Sequence, residues 1–419
     1  MTEPLAPEEL RDVDRADVYK AGRRAGTLTR EADDTVFSYD PLYEKEEGSP
    51  SVAFTLPKGA GPFRATGGSV PPFFAGLLPE GVRLTAITSA TRTSEDDHYT
   101  LLLAVGQDTI GDVEVIPTSH PPGPTGVMLV EADIGKDDLQ AIFRRVSAPA
   151  QATIDRVGLP GVQVKVSASM MSTPLSTSRG PAILKLAPPG FAKLVENESF
   201  FLTMATASGM KVPEHRLVHD SNGVSGLLVA RFDRVRSGSG TQRLAQEDAC
   251  QVMGRYPAAK YRIKLEDVIR SLAEAVSIGG GSAALLTRQS LELAAFSYLI
   301  GNGDLHGKNL SIRRNTAGLW ELTPGYDLLT TQPYTAWKDP MALPVYGRPN
   351  KLTRRWWLDA ATRLSIPERA LASRLDQIAS VGREWAERVP EIGFDDKVTT
   401  RLAALMTKRS SELLMASPD

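Results

Sequence analysis

The stretch SLELAAFSYLIGNGDLHGKNLSI, Ser290 to Ile312, constrains this chain more than any other. Apolar residues at helical spacing run up to Ile300, glycines flank Asn302, and a strand-like Leu310-Ser311-Ile312 comes after the loop. The connection between helix and strand carries Asp304, His306, Lys308 and Asn309. Asp, Gly and Asn are also what ordinary turns contain. The loop by itself does not separate a polar surface turn from the centre of a site; the rest of the chain must.

The part of the chain before Ser119 reads as β-rich. ADVYKAGRRAGTLTR predicts a hairpin turning at Ala21-Gly22, and TVFSYD and SVAFTLP predict further strands. PPFFAGLLPEGVRLTAI offers Pro72 and then Pro79-Glu80 as a helix start. DHYTLLLAVGQDTIGDVEVIP predicts a helix, a glycine-bearing turn and a strand. SHPPGPTG, Ser119 to Gly126, is dense in Pro and Gly and marks the first boundary.

Beyond it VMLVEADI predicts a strand, and KDDLQAIFRRV a helix with apolar Leu139, Ile142 and Phe143. GPAILKLAPP predicts a buried strand with one lysine in it, and LVENESFFLTMATASGM a helix ending at Gly209. HRLVHDSNGVSGLLVARFDRV predicts a hairpin turning at Asn222-Gly223. RSGSGTQR, Arg236 to Arg243, reads as a polar linker. QEDACQVMG reads as a capped helix, LEDVIRSLAEAVSIGG as an amphipathic one, and most of the remaining chain as more helices. KLTRRWW, Lys351 to Trp357, reads as amphipathic helix surface with Trp in the core rather than as a nucleic-acid patch. The expected architecture is α+β: a β-rich module over 1–120, a sheet unit over 121–236 and a mostly helical block over 237–419.

Bulk composition narrows the partners. Lys plus Arg (48) nearly balance Asp plus Glu (50), so charge favours neither nucleic acid nor an anionic membrane as the default partner. A single cysteine, Cys250, excludes an internal disulfide framework and a multi-cysteine metal site. The N-terminus is acidic and lacks the apolar run of a signal peptide, and no apolar run reaches the ~18 residues of a spanning helix. A soluble, cytoplasmic chain without membrane contact is expected.

Asp304 and Asn309 lie five residues apart, and Asp327, in LTPGYDLLTT, lies eighteen further on. Phosphoryl transfer needs such a set: one carboxylate for the attacking hydroxyl, and an asparagine oxygen with a second carboxylate for Mg²⁺. Mg²⁺ takes hard oxygen ligands and keeps several waters, so one Asp and one Asn suffice. The Asp-to-Asn step of five is that of the kinase catalytic loop. A kinase also needs a strand lysine for the nucleotide phosphates and a helix glutamate to hold it. AILKL supplies Lys185, and VENESFF supplies Glu198, with Glu196 as the alternate. A lone buried ammonium is costly, so Lys185 wants an anionic partner. The alternative for Lys185 is an edge lysine whose stem lies along the sheet. GLPGVQVK, with Gly158, Gly161 and Lys165, is neither a Walker loop nor Gly-x-Gly-x-x-Gly, and by pattern a Pro-Gly turn describes it as well.

In order along nearly the whole chain, these motifs resemble the HipA-like serine/threonine kinases, toxins of bacterial toxin–antitoxin pairs. VYKAGRRAGTL, FSYD, FFAGLLPEG and LLLAVGQDTIGDVEV resemble the family's N-terminal module. LPGVQVK, AILKL, NESFF, RFDR, EDACQVMG, GDLHGKN and YDLLTT resemble its kinase core. The resemblance implies a two-lobed protein-kinase-like fold behind an N-terminal β-rich module, and ATP and Mg²⁺ as cofactors. It implies Asp304 as the catalytic aspartate and Asn309 and Asp327 as Mg²⁺ ligands. Lys185, with Glu198, would meet the ATP phosphates, and Gly161, Val162, Gln163 and Lys165 would form the phosphate-side loop. Arg231 and Phe232 would lie at the hinge beside adenine, and His306 and Lys308 would line the nucleotide site. From the residues alone, RFDR is a strand end with a salt bridge and LLPEG a helix start. The implied partners are a HipB-like helix-turn-helix antitoxin, which would supply most of the DNA contact, and a protein substrate such as an aminoacyl-tRNA synthetase, with growth arrest or persistence as the outcome.

The chain departs from the family in two places. Val164 stands where the family usually has a more polar residue or proline. Gly158 stands where many members carry a serine whose autophosphorylation silences the kinase. The expectation is that no such switch operates at 158. Mass spectrometry after incubation with Mg-ATP tests it: phosphate on Thr153 or Ser167 together with loss of activity would contradict it. Two other functions fit part of the pattern. GDLHGKN also resembles the loop of aminoglycoside-type small-molecule phosphotransferases, and a degenerate kinase fold could act only as an antitoxin's corepressor. The β-rich module and LPGVQVK disfavour the first, and the filled catalytic positions disfavour the second.

Overall fold

The structure, a computed structural model, describes residues 5–118, 120, 129–130, 138–139, 141, 170–177, 180–237 and 240–414. The N-terminal module is a five-stranded antiparallel sheet of β1 (Arg15–Lys20), β2 (Arg23–Glu31), β3 (Asp34–Tyr39), β4 (Phe63–Ala65) and β5 (Val113–Pro117), in the order β4-β3-β2-β1-β5. Ala21 and Gly22 both have positive φ (50° and 76°), as a two-residue hairpin between right-twisted strands requires. Helices α1 (Pro41–Lys45), α2 (Pro72–Gly76), α3 (Gly81–Thr91) and α4 (His98–Val105) belong to this module, whose core holds Leu28, Phe37, Phe74, Tyr99 and Leu102.

SVAFTLP is not the expected strand. It carries one isolated bridge, Ala53 to Leu56, because it folds around a buried phenol: Tyr39 Oη accepts the Val52 N–H at 2.7 Å and donates to the Leu56 carbonyl.

The second sheet contains β6 (Leu129–Val130), β7 (Met171–Thr177), β8 (Gly180–Leu186), β9 (His215–His219) and β10 (Ser225–Ala230), ordered β6-β7-β8-β10-β9. All its pairs are antiparallel except the two-residue β6–β7 pair. The period-two alternation of β8 sends Ala182, Leu184 and Leu186 into a small apolar cluster with Leu139 and Leu228, and turns Ile183 and Lys185 toward a cleft. Helix α5 (Leu194–Ala207) packs Phe201 and Leu202 against Leu227 and Val229. Of the VMLVEADI strand only β6 is described, and most of KDDLQAIFRRV and all of 151–169 lie outside the described residues.

RSGSGTQR does not form a linker. β11 (Arg234–Ser237) and β12 (Gly240–Arg243) pair as a hairpin. The N-terminal module holds both ends: Arg234 donates to the Gly111 carbonyl at 2.7 Å and Arg243 to the Gln107 carbonyl at 2.8 Å.

The remainder is helical around a small sheet of β13 (Gln246–Asp248), β14 (Ser311–Arg314) and β15 (Trp320–Leu322). The helices are α6 (Ala249–Val252), α7 (Leu265–Ile278), α8 (Ala283–Ile300), α9 (Arg354–Arg363), α10 (Glu368–Ala386) and α11 (Asp396–Leu414). α8 is buried at every position from Leu291 to Ile300, so it forms the core of this lobe rather than one covering face. In α9 Trp357 is fully buried, while Trp356 lies under the Arg348 guanidinium 3.9 Å from its ring centroid. The RRWW of KLTRRWW thus opens an amphipathic helix with Trp357 in the core, as the sequence predicts, and Lys351 to Thr353 lead into it. Among the described residues, no helix is long and apolar enough to cross a membrane.

Candidate active site

The polar loop is shaped first by how α8 ends. Gly301 caps the helix with φ +75°, a conformation that costs glycine little and turns the chain sharply. The loop then holds its own backbone. Asn302 Oδ1 accepts the Asp304 N–H at 2.9 Å, and Asn309 Nδ2 donates to the Asp304 carbonyl at 2.9 Å. β14 leaves the loop paired with both β13 and β15. The loop is therefore internally bonded, and Asp304, His306 and Asn309 are all buried. It is not a surface turn.

Lys185 and Glu198 meet as expected. Lys185 Nζ lies 2.6 Å from Glu198 Oε1 and 2.5 Å from Asp327 Oδ1. Burial disfavours the ammonium, but Asp327 and Glu198 outweigh it and hold Lys185 protonated far above the ordinary range. Burial, only partly countered by Lys185, pushes Glu198 above the usual carboxylate range. Glu196 is the rejected alternate, since it bonds Lys193 and Ser225 instead. Asp327 sits at φ +53°, and Asn302 Nδ2 donates to its carbonyl at 3.2 Å. Loop and Asp327 are thereby joined in one constellation.

The cleft these groups share has a volume of about 340 Å³, within the ~300–1,000 Å³ of ligand pockets. It has three walls. β7, β8 and the end of β10 supply Ser172, Ile183, Lys185 and Val229; the helical lobe supplies His306, Lys308, Asn309 and Asp327; the N-terminal module supplies Glu80, Arg83 and Asp108. Asp304 is buried and is not among the residues that line the cleft. Arg231 and Phe232 come directly after β10, where the two lobes connect, and both line the cleft. The Phe232 ring packs on Tyr326, with centroids 5.7 Å apart. Arg231 is committed elsewhere, bonding Asp233 at 2.8 Å, Asp108 at 2.8 Å and the Thr109 carbonyl at 3.0 Å. Gly161, Val162, Gln163, Lys165 and Gly158 lie outside the described residues.

His306 is neutral, its basicity lowered to about 4 first by burial and then by the Lys260 charge. Its Nδ1 has no hydrogen-bond partner among the described residues. Buried Cys250 is inert as a nucleophile, its thiol pushed up to about 12 chiefly by burial.

Lys308 lines the cleft, but its ammonium is tied to the Gly76 carbonyl at 2.9 Å and lies 3.6 Å from Glu80 and 3.8 Å from Asp248. Glu80 also pairs with Lys260. The pattern of LLPEG predicts only a helix start. Glu80 does precede α3 as its N-cap residue, yet its carboxylate also joins the N-terminal module to the polar loop. Its place in a motif shared with the family was the one available signal, because Lys260 lies 180 residues away. Burial opposes the Glu80 charge, but Lys308 and Lys260 win and lower it to about 2. Relative to an ordinary value of about 4.3, this depressed acid contributes stability that is complete above about pH 4.5 and lost as pH falls toward 2. Glu80→Gln should cost about 1–2 kcal/mol at pH 6, and the gap from wild type should narrow in thermal melts toward pH 3. A constant gap would show that the charge is irrelevant.

The donor set suits a magnesium-bound nucleotide. Asn309 spends an amide N–H on the loop, which leaves its oxygen as an acceptor in the cleft that Asp327 also lines, and the orphaned His306 Nδ1 is a further polar atom at the same wall. Among the described residues no group of three or more His, Cys, Asp or Glu could hold a metal alone, so the all-protein cage of a zinc site has no counterpart here.

Comparison with known proteins places both halves of the chain in one family. The HipA-like C-terminal domain matches residues 157–385 and the HipA N-terminal domain residues 16–116. Y4dM of Sinorhizobium fredii, named as a presumed kinase, is 31% identical over 93% of each chain. The serine/threonine-protein kinase toxin HipA of Shewanella oneidensis is 26% identical over 75% of this chain and 76% of its own. A structure of HipA with HipB and operator DNA from the same organism superposes with a TM-score of 0.71 at 21% identity, covering 95% of this chain and 96% of that one. The chain belongs to the HipA family and has the two-part HipA fold.

Proposed function

We propose that this chain is a Mg-ATP-dependent serine/threonine protein kinase and the toxin of a toxin–antitoxin pair. The observation that carries the reading is the Lys185–Glu198–Asp327 cluster, whose Lys185 and Asp327 line one cleft together with Asn309. Lys185, fixed by Glu198, orients the ATP phosphates, and Asn309 and Asp327 hold Mg²⁺. When bound, the ion offsets charge on the phosphates. Arg231 and Phe232 border adenine, and His306 lines the site. Asp304 takes the proton of a serine or threonine hydroxyl as that oxygen bonds the γ-phosphorus. The bond from the γ-phosphorus to the β–γ bridging oxygen breaks, and its electron pair leaves with ADP. The kinase core divides into a small lobe over 121–236 and a helical lobe over 237–419, with residues 1–120 as an added module.

The proposed partner is a HipB-like antitoxin, as in the Shewanella oneidensis complex. A formal charge of −2 fits DNA contact made mainly through that partner. The substrate proposed is a cytoplasmic translation protein such as an aminoacyl-tRNA synthetase, with growth arrest or persistence as the outcome. A small-molecule phosphotransferase is the weaker reading, because the N-terminal module supplies a wall of the cleft. Induced expression in a bacterial host tests the toxin role. Arrest with wild type but not with Asp304→Asn supports it; equal growth, with both proteins soluble, counts against it.

A further inference from the structure

We infer that Tyr261 is a positioning residue for Asp304, and that its hydroxyl fixes the carboxylate that receives the substrate proton. This rests on the kinase reading. The segment between α6 and α7 carries no motif that marks a site, yet three contacts fasten it to the polar loop. Tyr261 Oη donates to Asp304 Oδ1 at 2.5 Å. The Tyr261 ring meets the His306 ring edge-on, with centroids 5.0 Å apart and planes at 82°. The Gly307 N–H donates to the Lys260 carbonyl at 3.0 Å. This approach needs glycine: a Cβ on Gly307 would fall 2.5 Å from Ile263 Cδ1 and 3.0 Å from Cys250 Sγ.

The same segment is anchored from the other side. Lys260 pairs with Glu80 of the N-terminal module, and its ammonium lies 5.2 Å from the Tyr261 ring centroid. Burial, and then the Asp304 charge, hold the phenol protonated far beyond its ordinary range, so the hydroxyl remains a donor at any working pH. A donor of fixed direction matters here because Asp304 must meet a hydroxyl that arrives from a separate protein. Orienting one carboxylate oxygen restricts where the other can lie. The N-terminal module is thereby linked to the catalytic aspartate through Glu80, Lys260 and Tyr261.

The test uses the full chain as wild type, Tyr261→Phe and Tyr261→Leu. Turnover with γ-labelled ATP and a bacterial lysate, the KM for ATP, the affinity for a fluorescent ATP analogue and the melting temperature are measured for each. Tyr261→Phe should lower kcat by about 10- to 100-fold, as expected for losing an oriented hydrogen bond to a charged group. It should leave the KM and nucleotide affinity within about twofold and the melting temperature nearly unchanged. Tyr261→Leu, which also removes the ring, should melt earlier while adding little to the loss in kcat. Wild-type turnover in Tyr261→Phe, a loss confined to Tyr261→Leu, or a parallel loss of nucleotide affinity would each overturn the inference. Wild type that binds nucleotide but transfers no label would instead overturn the kinase reading, and the inference with it.

Discussion

Asp304→Asn should reduce phosphoryl transfer by at least about 10³-fold while leaving ATP affinity within about twofold of wild type. The substitution keeps the size and shape of the side chain, and an amide oxygen can still accept from the Tyr261 hydroxyl. It removes the only property the reaction needs there, a base for the hydroxyl proton. The nucleotide should not register the change, because Asp304 is not among the residues that line the cleft. Asp304 also keeps its backbone bonds to Asn302 and Asn309, so the loop retains its course. The measurement is label transfer by the purified pair together with nucleotide titration. Loss of binding in step with activity would mean that Asp304 holds the nucleotide or the fold and is not the base.

Asp233→Ala should be strongly destabilising, by about 3–5 kcal/mol, the cost of breaking a buried ion pair from one side. The Asp233 carboxylate accepts from Arg231 at 2.8 Å, from Arg234 at 2.6 Å and from the Gly111 N–H at 3.0 Å. Both guanidiniums are about 4% exposed at the side chain, so neither could turn to water, and the two would be left to share the Asp108 carboxylate, at 2.8 Å and 3.1 Å. The loss is a large share of the ~5–15 kcal/mol that holds a protein folded. Burial opposes the Asp233 charge, but Arg231 and Arg234 together hold it below the usual carboxylate range. Its contribution is therefore present above about pH 4 and lost as pH falls through the lowered value. Urea denaturation at neutral pH measures the effect. A change under about 1 kcal/mol would mean that the cluster is not the joint between the N-terminal module and the hinge.

The two predictions rest on parts of the molecule that were unequally legible in sequence. Lys185 and Glu198 could be paired in advance because each is fixed by local periodicity: one faces away from the apolar side of a strand, the other lies in the first turns of the next helix. The Asp304 to Asn309 spacing was legible because the loop is short and bonds to itself. Glu80, Tyr261 and Asp108 were not. Their partners are 180, 43 and 123 residues away, and nothing in the local pattern of a helix start or a linker records what the fold brings against it. The misread segments fail for the same reason. SVAFTLP has strand composition but folds around the Tyr39 hydroxyl, and RSGSGTQR has linker composition but is held extended by Arg234 and Arg243. In each, a distant tertiary bond overrides local propensity.

The central claim is that the cleft transfers phosphate from ATP to a hydroxyl of a protein. The most direct test is incubation of the purified full chain with γ-labelled ATP, Mg²⁺ and a bacterial lysate, with separation of protein from small molecules and acid hydrolysis of the protein fraction. Label is expected in phosphoserine or phosphothreonine of a discrete protein, abolished by EDTA and by Asp304→Asn. Label recovered only in the small-molecule fraction, or no transfer by a chain that binds ATP, would contradict it.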